Sequence, residues 1–221
     1  MFIKSTTIAA AAVLALGSGA TLAAENLTNG SFETGAAGNA SLAMGWLSNA
    51  GGYVRESTDV HSGSFAIQLT PPAFNASGTE QNAVKDGLSF NLVVGDKPTL
   101  TFWAKGTQGT TGDFGYSLRY LDADGNIKYN SGFPNFGAQL SSTTWKQFSL
   151  TGGTVGQAGL AAFVVFNAGM GPIDAANGLL PGVLFLDDVS IQAAVPEAST
   201  YAMLLAGLGM VGVMTRRRRQ A

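Results

Sequence analysis

The 221-residue chain contains no cysteine and a single histidine, His61. Without cysteine, the chain can form no disulfide, no thiol nucleophile and no cysteine-ligated metal site. A single histidine also excludes a multi-histidine metal centre. These absences favour a protein without catalytic activity, although composition leaves open a carboxylate pair of the glycosidase type. Stability must come from packing or from a bound ion.

Long apolar runs are confined to the two ends of the chain. Residues 1–24 carry Lys4, an apolar stretch from Ile8 to Leu16 and small residues ending at Ala24, which predicts a secretory signal peptide cut near Ala24. Residues 198–215 contain no charge, and as a helix they would extend about 27 Å, which just spans a bilayer. A terminal basic cluster follows and would stay on the cytoplasmic side; its members are Arg216, Arg217, Arg218 and Arg219.

The segment between these ends, residues 25–194, has the length of one domain. It keeps 7 basic residues, after removal of Lys4 and the four terminal arginines, and 13 acidic residues, after removal of Glu197. The resulting net charge of −6 makes nucleic acid and anionic membrane surfaces unsuitable partners.

Short alternating runs separated by Gly, Asn and Ser fill this middle segment and predict an all-β sandwich or barrel. Strands are expected at 64–69, 99–105, 116–120, 127–129, 146–150, 161–167 and 183–192. The Asp-Gly pair at 124–125 predicts a hairpin turn rather than a calcium-binding EF-hand loop, because an EF-hand would need a glutamate where Phe133 stands. Trp46 and Trp145 follow loops and are predicted to lie in the core.

The C-terminal tail resembles a PEP-CTERM sorting domain. The motif stands at Val195, Pro196, Glu197 and Ala198, with Ala198 in place of the second proline of the commonest form, and it precedes the apolar run and the arginine cluster. The resemblance implies a domain at 195–221, recognition by an exosortase and a membrane anchor that is temporary. The alternative is a plain single-span C-terminal anchor.

The middle segment resembles the galactose-binding-like jelly-roll domains of carbohydrate-binding module families four, nine and twenty-two. The resemblance rests on a profile of short patches: 26–33, Gly45-Trp46, 61–64, 100–105, 145–148 and 186–190. It implies a jelly-roll β-sandwich over residues 25–194.

The same resemblance implies a structural calcium ion that ties the first and last strands together. Carried over, Glu33 and one of Asp187 or Asp188 would supply side-chain oxygens, and carbonyls would come from Ser31 and the loop from His61 to Ser64. Calcium prefers six to eight oxygen ligands, which such a set can begin to supply. Alternation places Asp187 on the face of Phe185, Val189 and Ile191, where an unpaired carboxylate would be costly. The alternative is that these acids cap strand ends in solvent.

A sugar site needs exposed aromatic rings together with polar groups that fix hydroxyls. The candidates are Trp103, Arg119, Tyr129, Phe133 and Phe136. Trp103 and Arg119 point away from the buried faces of their strands, and the other three lie on or beside the hairpin. Each of these residues could instead serve packing.

Together these features predict an exported protein, anchored in the membrane by its C-terminal helix before processing and then located at the cell surface or in the extracellular matrix. Its partners would be an exosortase and, if the sandwich binds polysaccharide, exopolysaccharide, as PEP-CTERM proteins are associated with exopolysaccharide and biofilm. The predicted role is non-catalytic, with polysaccharide binding by the sandwich. The alternatives are a purely structural matrix protein and, with less support, a polysaccharide-active enzyme.

Overall fold

The computed structural model describes residues 27–70, 77–82, 92–109, 114–168, 175–178, 180 and 182–192. The predicted signal peptide and the predicted sorting tail lie outside these residues. Within the described part of the chain, no helix is long and apolar enough to cross a membrane.

The predicted all-β fold is confirmed, because the described residues form strands and two short 3-10 turns but no α-helix. The seven strands expected from the sequence are all present, and five further strands precede or interrupt them. In chain order the strands are β1 (Gly35–Ala36), β2 (Asn39–Ala43), β3 (Leu47–Ala50), β4 (Val54–Glu56), β5 (Ala66–Leu69), β6 (Ser77–Asn82), β7 (Thr99–Thr107), β8 (Phe114–Leu121), β9 (Ile127–Asn130), β10 (Lys146–Thr151), β11 (Ala161–Ala168) and β12 (Val183–Gln192).

Ten of these strands form two five-stranded antiparallel sheets, and β1 pairs with β2 as a separate ribbon. One sheet has the order β10-β7-β12-β5-β4 and is called the β12 sheet; the other has the order β3-β6-β11-β8-β9 and is called the β11 sheet. From β5 onward the chain crosses repeatedly between the two sheets, which gives the sandwich of jelly-roll type that the sequence predicts.

The core lies between the sheets and is rich in aromatic rings. Phe102 of β7 stands at its centre, with ring centroids 5.4 Å from Phe148, 4.9 Å from Phe166 and 4.9 Å from Tyr116. Trp46 is 3% exposed and packs 5.0 Å from Phe32, so its predicted core position is confirmed. Because strands alternate, residues next to these core positions point outward, to the free face of each sheet.

β12 carries an irregularity that the sequence pattern does not reveal. Asp187 pairs with Trp103, but the next paired residue is Ser190, opposite Thr101, so the register shifts between them. Asp188 has a φ of 47°, a conformation that non-glycine residues adopt rarely and that fits a bulge. The expectation that Phe185, Val189 and Ile191 share a face is wrong, because the bulge changes the alternation.

Two local details complete the comparison with the sequence. The hairpin at 122–126 is confirmed, with Gly125 N–H donating to Asp122 O at 2.9 Å between β8 and β9. Simple alternation over the predicted strand 64–69 would place Phe65 on the face of Ile67 and Leu69, but Phe65 precedes β5 and is only half-buried. Its ring lies 3.3 Å below the Arg55 guanidinium instead.

Candidate functional site

Asp187 is completely buried and holds the loop before β5. Its Oδ2 accepts the backbone N–H groups of His61 (3.0 Å) and Ser62 (3.1 Å), and its Oδ1 accepts the N–H of Asp188 (2.7 Å). Burial raises the pKa of this carboxyl from 3.8 to about 6, against the opposing effect of the three amides. The two loop amides, of His61 and Ser62, therefore fix the loop to the bulge of β12 through this carboxylate.

Glu33 anchors the same loop from the N-terminal side. Its Oε1 accepts the N–H groups of Ser64 (2.9 Å) and Phe65 (3.1 Å). Gly63 lies against this carboxylate with a φ of 62°, and a Cβ there would stand 2.2 Å from Glu33 Oε1. The predicted metal-site residues Glu33, Asp187 and the 61–64 loop are therefore neighbours. At these contacts, however, the loop offers amides and not the carbonyls that the sequence suggested.

Asp188 binds the tip of the loop through side chains. Its Oδ2 lies 2.6 Å from His61 Nδ1, and its Oδ1 accepts the Ser62 hydroxyl at 2.9 Å. The side-chain donor atoms of His61, Asp187 and Asp188 all lie within 4.8 Å of one another. This trio is the part of the predicted ligand set that the fold brings closest together.

A cavity of about 330 Å³ opens on the other side of the bulge and is lined by Asn29, Gly30, Ser31, Asp188, Val189, Ser190 and Gln192. Two predicted ligands, Ser31 and Asp188, thus share one cavity. The hydroxyl of Ser190 is buried and has no hydrogen-bond partner among the residues that the structure describes. Ser190 is not among the residues predicted from the sequence, although it stands only two positions after Asp188.

The His61 ring also joins an aromatic cluster on the outer face of the β12 sheet. It stacks on Trp103 with ring centroids 3.9 Å apart and planes inclined by 16°, and it meets Trp145 at 5.8 Å in an edge-on arrangement. One face of Trp103 is therefore already occupied. Trp145 is half-buried in this outer cluster, so the expectation of a core position for it is wrong.

Arg119 and Phe133 form a second group, on the outer face of the β11 sheet. Arg119 alternates with the buried core residues Leu118 and Tyr120 and so points away from the core. Its guanidinium lies 5.1 Å from the Phe133 ring centroid and 5.7 Å from that of Phe163. Phe133 is 43% exposed. The geometry therefore presents an accessible ring beside a cation.

The five predicted sugar-site residues do not form one surface. Trp103 lies on the outer face of the β12 sheet, and Arg119 and Phe133 lie on the opposite side of the sandwich. Tyr129 stacks on buried Tyr120 at 4.6 Å and packs against the core. Phe136 is 2% exposed and contacts Phe102 in the core, where its ring cannot stack on a sugar. Phe163 was missed, because β11 is apolar on both faces and its alternation gives no signal.

Comparison with known proteins confirms the sorting tail. Residues 194–219 match the PEP-CTERM protein-sorting motif. The match includes Val195, Pro196, Glu197 and Ala198 as well as the arginine cluster, all of which lie outside the residues that the structure describes. No curated protein matches the chain.

Solved structures resemble the sandwich. The enzymatically active domain of tailspike protein 4 from bacteriophage CBA120 has a TM-score of 0.55 at 18% identity over 77% of this chain, which spans 21% of the tailspike chain. The CBM22-1 xylan-binding domain of Paenibacillus barcinonensis Xyn10C has a TM-score of 0.48 at 12% identity, covering 79% of this chain and 97% of that one. TmCBM61, solved with β-1,4-galactotriose, has a TM-score of 0.48 at 15% identity, covering 76% and 97%. At 18% identity, the likeness to the tailspike domain bears on the fold alone.

Proposed function

We propose that this chain is an exported, exosortase-sorted protein of the cell surface or extracellular matrix, whose sandwich binds polysaccharide without acting on it chemically. The sorting motif at 194–219 supports the export and the processing. Anchoring by the C-terminal helix before processing belongs to this proposal, as does the association with exopolysaccharide. The observation that carries the binding role is the exposed Phe133 ring beside Arg119 on the outer face of the β11 sheet.

Sugar rings have apolar faces that pack on aromatic rings, while their hydroxyls need hydrogen-bond partners. Phe133 offers the first contact, because 43% of its surface is exposed. Arg119 offers the second, because its Nε–H donates to Ser117 Oγ at 3.3 Å and its terminal N–H groups have no partner among the described residues. Sugar recognition requires an aromatic ring beside hydrogen-bond donors, and the Phe133 ring and the Arg119 guanidinium supply these two groups.

The Trp103 cluster supports a structural role better than a binding role. A stacking platform must have a free face, and His61 covers one face of Trp103 at 3.9 Å. The imidazole is itself held by Asp188 at 2.6 Å, so it is well fixed in this position. The sequence favoured Trp103 for sugar binding, but this geometry favours Phe133.

Binding is tested by affinity electrophoresis of the purified full chain in gels that contain a panel of neutral and acidic polysaccharides. We expect retardation by at least one polymer and its loss in Phe133→Ala. Ile127→Ala is the matched control, because Ile127 is 50% exposed in the adjacent strand β9. Lack of retardation on every polymer would favour the purely structural matrix protein, and measurable glycan turnover would favour the enzyme.

We also propose structural calcium beside the β12 bulge. The residues fit an oxygen-seeking cation in three respects: Asp187 is a fully buried carboxylate, Ser190 Oγ is buried with no partner in the described part of the chain, and Ser31 and Asp188 line one cavity. Calcium would neutralise charge at these carboxylates and join the 29–31 loop to β12. Which of Asp187 or Asp188 ligates the ion, and whether Glu33 or Ser64 takes part, is tested by variants.

The calcium proposal predicts a higher melting temperature with calcium than with chelator, because an ion that binds the folded state stabilises it by mass action. Asp188→Ala should abolish this shift. Asp122→Ala is the control, because Asp122 lies in the 122–126 hairpin turn, on the β11 sheet. An equal melting temperature with calcium and with chelator in the parent chain would refute the site.

A further inference from the structure

We infer that the Arg119–Phe133 site selects carboxylate-bearing polysaccharides, such as polyuronates, over neutral ones. This inference rests on the proposed function and specifies the substrate class of that site. Its basis is a half-buried guanidinium with no acidic partner among the described residues.

The surroundings of Arg119 are unusual for a cation in this chain. Its side chain is only partly exposed, because it lies over the rings of Phe133 and Phe163. Its one hydrogen bond among the described residues goes to Ser117 Oγ, a neutral acceptor that itself donates to Asn130 Oδ1 at 3.0 Å. The two terminal nitrogens of the guanidinium therefore keep their N–H groups available.

Four other cations of the described residues already have partners. Lys105 pairs with Asp59, and Lys128 pairs with Asp122 at 2.9 Å. Lys146 donates to Gln139 O at 2.8 Å, and Arg55 donates to backbone carbonyls of the N-terminal segment. Lys97 has no partner among the described residues, but its side chain is exposed in the loop before β7. Arg119 thus combines partial burial with the lack of an anionic partner.

The acidic residues nearest to this face do not compensate Arg119. Asp122, which follows β8, is engaged by Lys128 and by Asn126. Glu80 of β6 pairs with Val165 of β11. Because β11 lies between β6 and β8, this central strand separates Glu80 from Arg119. Glu80 also has a partner of its own. Among the described residues, therefore, no acidic side chain compensates the positive charge beside the Phe133 ring.

A carboxylate matches this arrangement better than a hydroxyl does. The planar fork of a guanidinium binds a carboxylate through two parallel N–H···O bonds, which are stronger than bonds to neutral acceptors. Partial desolvation by the two rings further strengthens such a pair. The net charge of −6 on residues 25–194 opposes acidic polymers at long range, but at 0.15 M salt this repulsion is screened beyond about 8 Å. Contact at Arg119 therefore decides the preference.

The test uses polygalacturonate and the same polymer after reduction of its carboxyl groups, which removes the charge and keeps the backbone. Affinity electrophoresis of the full chain at 0.15 M salt should give a dissociation constant about tenfold lower or more for the acidic polymer, in line with the net gain from a charge-assisted hydrogen bond. Arg119→Gln should lose this preference while still binding the reduced polymer through Phe133. Arg119→Lys should keep part of it, since a lysine retains the charge but not the fork.

Lys128→Gln is the matched control, because it removes one positive charge from the neighbouring strand at a residue that is already paired. Far-UV circular dichroism of every variant confirms that the sandwich is intact. Equal binding of both polymers, or an unchanged preference in Arg119→Gln, would overturn the inference and leave the proposed function standing. If neither polymer, nor any other in the panel, retarded the parent chain, both would be refuted.

Discussion

Replacement of Trp103 by alanine should weaken the fold and leave polysaccharide binding intact. Trp103 stands on β7 opposite Asp187, and its ring carries the stacked His61 imidazole at 3.9 Å. His61 in turn closes the loop whose backbone amides satisfy the buried Asp187 carboxylate. Removal of the indole therefore takes away both a packing partner and the support of this loop.

The expected loss of stability follows from these contacts. Truncation of a fully buried tryptophan costs about 3–5 kcal/mol, and Trp103 is partly exposed, which lowers the cost. A stacked ring pair adds about 0.5–1.5 kcal/mol beyond the area it buries. We expect the free energy of unfolding to fall by about 2–3 kcal/mol in Trp103→Ala, and by clearly less in Trp103→Phe, which retains a ring for His61.

Urea denaturation followed by far-UV circular dichroism measures this change without depending on tryptophan fluorescence. Affinity electrophoresis of the same variant, under conditions where it is folded, measures binding. Phe133→Ala should show the reverse pattern, with nearly unchanged stability and lost binding. The reasoning would be refuted if Trp103→Ala lost binding but changed stability by less than about 0.5 kcal/mol, the scale of an ordinary surface substitution.

Three further predictions concern the N-terminal loop, pH and processing. Gly30→Ala should destabilise the fold by about 1–3 kcal/mol, because the added Cβ would lie 1.8 Å from Val189 O; an unchanged urea midpoint would show that this loop is not fixed to β12. In chelator, the contribution of Asp187 to stability should fall by about 3 kcal/mol in all as pH rises from well below 3.8 to well above 6, because the unfolded carboxyl ionises first; Asp187→Asn should flatten that part of the profile, and an identical profile in the variant would contradict the assignment. The intact mass of the exported protein should lack residues 1–24 and the residues after the 195–198 motif, and a mass that retains Arg216–Arg219 would support the plain anchor.

The strands found from the sequence include the strongly alternating β7 and β8 and the largely apolar β11. The strands that were missed are short or polar. β6 has the sequence SGTEQN, yet Thr79 and Gln81 are fully buried. They are satisfied by distant backbone groups: Thr79 Oγ1 donates to Leu47 O at 3.0 Å, and Gln81 Oε1 accepts the Thr28 N–H at 2.7 Å. Such partners become visible only after the chain has folded.

The candidate site, like the strands, was predictable from the sequence only in part. The alternation of side chains along each strand correctly predicted that Arg119 and Trp103 lie on the outward faces of their strands. It could not show that these strands belong to different sheets, which separates the two residues by the thickness of the sandwich. Nor could it show the bulge at Asp188, because a single backbone conformation with a φ of 47° changes which residues of β12 face the core. A local sequence pattern cannot predict features that depend on the pairing of strands distant in the sequence.

Hydrogen exchange of the full chain, with and without a polysaccharide from the panel that retards it, tests the location of binding most directly. Saturating polymer should slow exchange in the loop 131–135 around Phe133 and leave exchange in the loop 61–65 beside Trp103 unchanged. Slower exchange at 61–65 with no change at 131–135 would contradict the account and place the site on the β12 sheet.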